Sequence, residues 1–137
     1  MSVKIDIEYD GELHCTAKHA PSGMTLNTDA PTDNGGKGET FSPTDLLATA
    51  LGTCIITIMA LVAQKRNISL KGTRVDVLKE MSKSPPRRVS DFSVTITYPA
   101  DLNLSDSDKA RLEKVVDACP VKQSLHPDVN VNTEFIY

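Results

Sequence analysis

An uncharged stretch of 18 residues, Leu46–Ala63, constrains the fold of this chain more than any other feature. The segment before it, Ser42–Asp45, has the pattern of a helix start: a serine cap, a proline at the first helical position and a carboxylate three residues after the cap. The segment after it, Gln64–Asn67, supplies two cations and an asparagine, which suit the carboxyl end of a helix. We therefore predict one helix of about 22 residues, roughly 33 Å long, with Cys54 in its middle.

This helix reaches the lower length limit of a membrane span, but its composition favours a buried helix of a soluble protein. Several small or hydroxylated residues dilute its hydrophobicity, and the strands that flank it are one-sided and need an apolar layer to cover them. A helix that is apolar on every face has to be buried all round. Because a chain of 137 residues has few elements of its own for this purpose, we expect a second subunit to cover one face.

Composition limits the partners and the location. The length fits a single domain, 1–137, with a substantial core. A net charge of −3, a pI near 5.5 and only 4% aromatic residues argue against nucleic acid and anionic membranes as partners. The amino-terminal segment lacks the apolar run of a signal peptide, so we expect a cytoplasmic protein.

Hydrophobic periodicity predicts an α+β fold with the order βββ-α-ββ-α-β. The predicted strands are Val3–Asp10, Leu13–Lys18, Met24–Thr28, Thr73–Leu78, Asp91–Tyr98 and Val129–Tyr137. A second helix is predicted to open at Ser105 and to end at Pro120, and its apolar stripe is Leu112, Val115, Val116 and Cys119. The glycine-rich segment Asp29–Thr40 is predicted to be a long loop, which makes it a candidate for function.

The three cysteines show neither a disulfide framework nor the spacing of a metal site. We predict that Cys15 lies in the core, and that Cys54 and Cys119 lie on helices and face apolar surroundings. Both could be core residues. A reactive role is favoured by the small neighbours of Cys54 and by the proline after Cys119, and their sulfurs could form a disulfide if the two Cα atoms lie about 4.4–6.8 Å apart.

A reactive cysteine has to be a thiolate at neutral pH, whereas an ordinary thiol with a pKa of about 8.5 is only a few per cent ionised. Burial opposes ionisation further, so a cation or a strong donor is needed beside the sulfur. The sequence offers His14, His19 and Lys37 as candidates, with Glu39 to orient one of them. Each could equally be an exposed, solvated side chain. The segment Asn34–Gly38 lacks the spacing of a phosphate-binding loop.

The segments FSPTDLLATALGTC (Phe41–Cys54) and ACPVKQSL (Ala118–Leu125) together resemble the OsmC/Ohr family of osmotically inducible and organic hydroperoxide resistance proteins. The loop Thr28–Glu39 is similar to that of a less characterised subgroup. The resemblance covers essentially the whole chain. It implies an intertwined homodimer in which sheets from both subunits wrap the two central helices.

The resemblance also implies a thiol peroxidase that reduces organic hydroperoxides, and hydrogen peroxide more slowly, to alcohols or water in oxidative-stress defence. Cys54 would become a sulfenic acid, and Cys119 would condense with it to a disulfide. An external dithiol, lipoylated in some members, would restore the thiols, and no bound cofactor or metal is implied. The alternatives are a non-catalytic dimer that binds a small apolar ligand, and a purely structural role for both cysteines.

The chain departs from the well-studied branch of the family at two positions. That branch has a glutamate ten residues before the helix cysteine, where this chain has Thr44. It also has an early arginine that holds the thiolate, whereas no arginine precedes Arg66 here. We expect His14 and Glu39 to take these two roles.

Overall fold

The computed structural model describes residues 1–137, and its internal contacts divide the chain into two units, Met1–Leu47 and Ala48–Tyr137. The predicted α+β class and element order are confirmed, with one additional short helix before the last strand. The strands are β1 Ile5–Gly11, β2 His14–His19, β3 Thr25–Asp29, β4 Arg74–Met81, β5 Val89–Thr97 and β6 Asn130–Ile136. The helices are α1 Pro43–Gln64, α2 Asp106–Val115 and α3 Pro120–Gln123, with 3-10 turns at Thr32–Asn34 and Val116–Ala118. The single domain stays a prediction.

The first unit is built on an antiparallel meander in the order β1-β2-β3. The chain reverses between β1 and β2 through three consecutive residues with positive φ, Gly11, Glu12 and Leu13. The sequence pattern predicted that one face of β1 would be buried, and this was wrong for the single chain. Ile7 keeps 69% of its surface exposed, and Tyr9 keeps 62%.

The central helix α1 has the bounds that its end signals predicted. At its start, the Ser42 hydroxyl accepts the backbone N–H of Asp45 at 3.1 Å, and the Asp45 carboxylate accepts the backbone N–H of Ser42 at 2.9 Å. This reciprocal pair is a capping box. At the other end, Asn67 adopts a left-handed conformation with φ 57°.

Only one stripe of α1 is buried in the chain, although every face of the helix is apolar. Its buried residues are Ala48, Leu51, Gly52, Ile55, Met59 and Ala63. By length and composition α1 could cross a membrane, and the core helix of a soluble protein satisfies the same two conditions. The expectation of burial all round is therefore not met within one chain.

In the second unit, α1 faces the sheet β4-β5-β6, in which β4 and β5 are antiparallel and β5 and β6 are parallel. The parallel pair requires a crossover connection, which α2 and α3 supply. A Cβ on Gly52 would lie 2.8 Å from the side chain of Val77 and 3.4 Å from that of Val75. The glycine therefore allows the helix to approach these two valines, which lie on the same face of β4.

The helix predicted to run from Ser105 to Cys119 ends earlier. α2 has the predicted Ser105 cap, whose hydroxyl accepts the backbone N–H of Asp108 at 3.1 Å, but it ends at Val115 and continues as a 3-10 turn. Cys119 is extended, with φ −60° and ψ 119°, and so does not lie on a helix. Pro120 does not end α2; it occupies the first position of α3. The residue before a proline is pushed out of helical geometry, which explains the break at Cys119.

Candidate functional site

The second unit brings Cys54 and Cys119 together, although 65 residues separate them in the sequence. Cys54 lies near enough to Cys119 to raise the pKa of the Cys119 thiol, and neither cysteine is in a disulfide. Cys54 lies in the middle of α1 and is half-buried, whereas Cys119 has no exposed surface. The arrangement is a dithiol pair with one accessible member.

The short helix α3 fixes the Cys119 side chain. Because Cys119 is the residue that caps α3, its sulfur accepts the backbone N–H of Lys122 at 3.4 Å. Burial raises the pKa of the Cys119 thiol, and the hydrogen bond and negative charge of Cys54 raise it further. The backbone N–H groups of Lys122 and Val121 lower this pKa and offset part of the rise. Cys119 is therefore held as a neutral thiol beside two donors.

The polar side chains next to Cys54 on α1 are occupied within the helix itself. The Thr53 hydroxyl donates to the backbone carbonyl of Thr49 at 2.8 Å, and the Thr57 hydroxyl donates to that of Thr53 at 2.7 Å. Leu51 and Ile55 are completely buried. In the sequence of α1, Cys54 thus has apolar neighbours and two threonines whose hydroxyls bond to the backbone of the helix.

In the first unit, a buried carboxylate holds the candidate cation His14. Nδ1 of His14 lies 2.6 Å from Oδ1 of Asp29, and Oδ2 of Asp29 accepts the backbone N–H of Glu39 at 3.1 Å. Asp29 is only 3% exposed. The carboxylate that contacts His14 is therefore Asp29, while exposed Glu39 contributes its backbone N–H. Asp10 lies farther away, at 3.9 Å from Nε2 of His14.

The hydrogen bond between His14 and Asp29 changes the ionisation of both groups. It is the main cause of the raised pKa of His14, with the charges of Asp29, Asp10 and Glu39 adding to it and burial opposing it. The same bond is the main cause of the lowered pKa of Asp29. The pair therefore favours a protonated histidine beside an ionised carboxylate.

The other two candidate cations have different partners. Nζ of Lys37 donates to the Glu12 carboxylate at 2.7 Å, at an exposed position. Nδ1 of His19 lies 2.6 Å from the Ser22 hydroxyl in the exposed turn after β2. Cys15 is half-buried instead of lying in the core, as β1 beside it is exposed. None of the three has the buried charged partner that His14 has.

Two parts of the site were missed from the sequence. Asp29 was assigned only to the start of a loop, whereas it is the last residue of β3 and lies opposite His14 in the β2–β3 register. The backbone N–H of Lys122 has no sequence signature beyond the proline at position 120, which permits a new helix to begin after Cys119. Strand register and local capping geometry supply both features.

The fold and the cysteine pair define an α+β protein with one free cysteine on a long apolar helix and a second, buried one directly before α3. A family model described as OsmC-like protein matches residues 36–134. The chain belongs to this family, the OsmC/Ohr family that its cysteine segments resemble.

Solved structures support the same assignment. A provisionally described osmotic stress induced and detoxification response protein from Psychrobacter arcticus 273-4 is 40% identical, with a TM-score of 0.89, and the match covers 96% of this chain and 93% of that one. An organic hydroperoxide resistance protein OsmC from Legionella pneumophila is 15% identical with a TM-score of 0.79, and the match covers 100% and 98% of the two chains.

The organic hydroperoxide resistance protein OhrB of Bacillus subtilis is also 15% identical, with a TM-score of 0.72 and coverage of 98% of each chain. At this level of identity the likeness concerns the fold alone. Among curated protein sequences, none matches this chain.

Proposed function

We propose that this protein is a thiol-dependent peroxidase that reduces organic hydroperoxides to alcohols, and hydrogen peroxide more slowly to water. The observation that carries the proposal is the pair of neighbouring free cysteines, one half-buried and one fully buried, in a chain of this family. Family membership supports it further, because structural relatives from Legionella pneumophila and Bacillus subtilis are named organic hydroperoxide resistance proteins.

In the proposed first step, the Cys54 thiolate attacks the terminal oxygen of the hydroperoxide. The S–O bond forms as the O–O bond breaks, and the alkoxide takes a proton to leave as an alcohol. Cys54 becomes a sulfenic acid. The predominantly apolar sequence of α1 around Cys54 supports a preference for organic peroxides over the more strongly hydrated hydrogen peroxide.

In the second step, the Cys119 sulfur displaces the hydroxyl group of the sulfenic acid, which leaves as water, and a Cys54–Cys119 disulfide forms. The effect of Cys54 on the pKa of the Cys119 thiol supports this step, because it indicates that the two side chains lie near each other. An external dithiol, of the lipoyl type or similar, then returns both cysteines to thiols and is itself oxidised to a disulfide.

The proposal keeps His14 for the role of the arginine in the well-studied branch and Glu39 for that of its glutamate, with Asp29 as the carboxylate that orients His14. The raised pKa of His14, caused chiefly by its hydrogen bond to Asp29, favours the cationic form of this side chain. Replacement of His14 by Gln is expected to slow the reaction of Cys54 with peroxide. An unchanged rate would remove His14 from the mechanism without affecting the two cysteine roles.

We also propose that the protein works as a homodimer. Apolar side chains of β1 are exposed in the single chain, and so is Leu61 on α1, at 55%. Exposed apolar surface of this extent on one strand and one helix is typical of a subunit interface. Because every face of α1 is apolar and only one stripe is buried within the chain, a second copy of the chain is the partner that we expect to cover the exposed faces.

A single-turnover thiol count tests the peroxidase proposal. Reduced protein is mixed with one equivalent of tert-butyl hydroperoxide or hydrogen peroxide, and free thiols are counted over time. We expect rapid loss of two of the three thiols, faster with the organic peroxide. Cys54→Ser should abolish the loss, and Cys119→Ser should leave a sulfenic acid that a dimedone-type reagent traps.

The third cysteine provides the matched control, since Cys15→Ser should leave the rate unchanged. Thiols that persist for minutes in the wild type would sink the peroxidase proposal. Stabilisation by small apolar ligands that survives Cys54→Ser would then favour the non-catalytic binding dimer.

A further inference from the structure

The two members of the cysteine pair differ in accessibility. Cys119 has no exposed surface, whereas Cys54 is half-buried. Association with a second subunit can only remove surface, so Cys119 is inaccessible in any assembly of this conformation. A hydroperoxide, in contrast, has to reach the Cys54 sulfur for the proposed chemistry to occur. The function itself therefore requires an approach to Cys54 and none to Cys119.

We infer that the reductant attacks the disulfide at the sulfur of Cys54, so that Cys119 is the leaving thiol and Cys54 carries the mixed disulfide. This inference rests on the proposed peroxidase cycle, and the reductant is a dithiol that enters by the path of the hydroperoxide. The reductant thiolate bonds to the Cys54 sulfur while the Cys54–Cys119 bond breaks, and the electron pair leaves on Cys119. The second reductant thiol then attacks the reductant's own sulfur, which releases Cys54 and forms a cyclic disulfide. The two protons of the reductant end on the protein or in solvent.

The surroundings of Cys119 determine how readily it leaves. Burial raises the pKa of its thiol, and a thiol of higher pKa is a poorer leaving group. The hydrogen bond and the charge of Cys54 also raise this pKa, but both are absent once Cys54 is in a neutral mixed disulfide. The backbone N–H groups of Lys122 and Val121 remain, and they stabilise the departing thiolate.

Access outweighs the leaving-group effect. The rate of thiol–disulfide exchange depends only partly on the leaving thiol, with a graded response to its pKa. A sulfur with no accessible surface cannot be attacked by an external thiolate at all until the structure around it opens. Opening at Cys119 would require α3 to detach, because the cysteine caps that helix. Attack at Cys54 requires no such step.

The site of attack can be measured directly in a Cys15→Ser variant, which retains only the two cysteines of the pair. Diamide forms the disulfide without any peroxidase activity. A short exposure to 2-mercaptoethanol follows, and acid quenches the exchange. N-ethylmaleimide in concentrated urea then alkylates the thiol that has left, because unfolding makes a buried Cys119 accessible to the reagent. Mass spectrometry of tryptic peptides reports which cysteine carries the mixed disulfide. We expect at least a tenfold excess of the adduct on Cys54, with the maleimide on Cys119.

The same exchange in concentrated urea is the control, because unfolding exposes both sulfurs, and there we expect comparable adducts on the two cysteines. Equal amounts in the folded protein, or an excess on Cys119, would overturn the inference. An equally large Cys54 excess in urea would also overturn it, since the fold would not be the cause. Failure of diamide to form the disulfide would overturn it as well. A disulfide that forms with diamide but not with hydroperoxide would sink the peroxidase proposal alone.

Discussion

Asp29 is the buried carboxylate of the first unit, and each of its oxygens serves a different partner. One accepts from His14 and the other from the backbone N–H of Glu39, which ties the end of β3 to the loop before α1. The sequence led us to expect a carboxylate beside His14 but pointed to Glu39. The correct residue depends on the register of β2 and β3, in which His14 and Asp29 are directly opposite each other. Register cannot be read from a polar segment that lacks periodicity.

Replacement of Asp29 by Asn should lower the pKa of His14 toward its usual value of about 6.5. Because the folded pKa of His14 is raised, the pair's contribution to stability is complete below pH 6.5 and is lost as the pH rises through the raised value. The contribution of Asp29, whose pKa is lowered, is lost at the other end, as the pH falls through that lowered value. The substitution should therefore weaken the pH dependence of the unfolding midpoint both above pH 6.5, where His14 titrates, and at acidic pH, where Asp29 titrates.

NMR titration of the His14 ring protons measures the shift. The matched control is Asp10→Asn, which removes a carboxylate 3.9 Å from the other ring nitrogen and should produce a smaller decrease in the pKa. Equal decreases in the two variants would contradict a dominant role for Asp29.

Gly52 is a second residue whose importance becomes visible only in three dimensions. Replacement by Ala would place a Cβ 2.8 Å from Cγ2 of Val77, a stiff side chain that has little room to move. Overpacking of this kind costs about 1–3 kcal/mol, whereas the better helix propensity of alanine returns about 1 kcal/mol. We expect a net loss of about 1 kcal/mol in urea unfolding. In a Val77→Ala background the same change should be neutral or stabilising, and an unaltered cost there would argue against the contact.

At the scale of elements, the end signals of α1 were sufficient to predict its bounds, and those of α2 were not. The capping box and Asn67 are local chemistry, which a sequence displays directly. The stripe that ends at Cys119 has helical spacing, but the backbone tightens after Val115 and the N–H of Cys119 bonds to the carbonyl of Val116. A 3-10 turn keeps an apolar stripe nearly aligned, so periodicity cannot distinguish it from the last turn of an α-helix.

The caps of α1 and α2 allow a direct comparison of two serines. Ser42→Ala removes the acceptor for the Asp45 N–H at a position that is 2% exposed. We expect a loss of about 1–2 kcal/mol, at the upper part of the range for a cap. Ser105→Ala removes the equivalent bond at an exposed helix start, so its cost should be nearer 0.5 kcal/mol. Urea unfolding measures both, and a larger cost at Ser105 would contradict this order.

At the scale of the whole molecule, the sequence predicted the fold class but could not predict the burial in a single chain. Alternation in β1 and the all-round apolar character of α1 both indicate covered surfaces. The chain alone covers one stripe of the helix and leaves β1 exposed. Periodicity identifies which side chains need an apolar environment, but it does not say whether the same chain or another copy supplies it.

Ile7→Glu tests the homodimer proposal. If β1 lies in the interface, the variant would bury an unpaired charge, which costs more than about 1.4 kcal/mol and so weakens association by more than tenfold. Light scattering after size exclusion should give twice the chain mass of 14.9 kDa for the wild type and a lower average for the variant. Glu8→Gln on the same strand is the matched control and should remain dimeric. A monomeric wild type at micromolar concentration would overturn the proposal.

The exposed strand β1 also has a consequence for the behaviour of the single chain. β1 is an edge strand, and such strands with apolar side chains readily pair with one another in the wrong way. The other face of β1 carries three carboxylates, Asp6, Glu8 and Asp10. Asp6 forms an ion pair with Lys4, which lies just before the strand, at 3.1 Å. Two copies of β1 that stacked edge to edge would bring rows of carboxylates together. Repulsion between these carboxylates would oppose edge-to-edge pairing of two single chains.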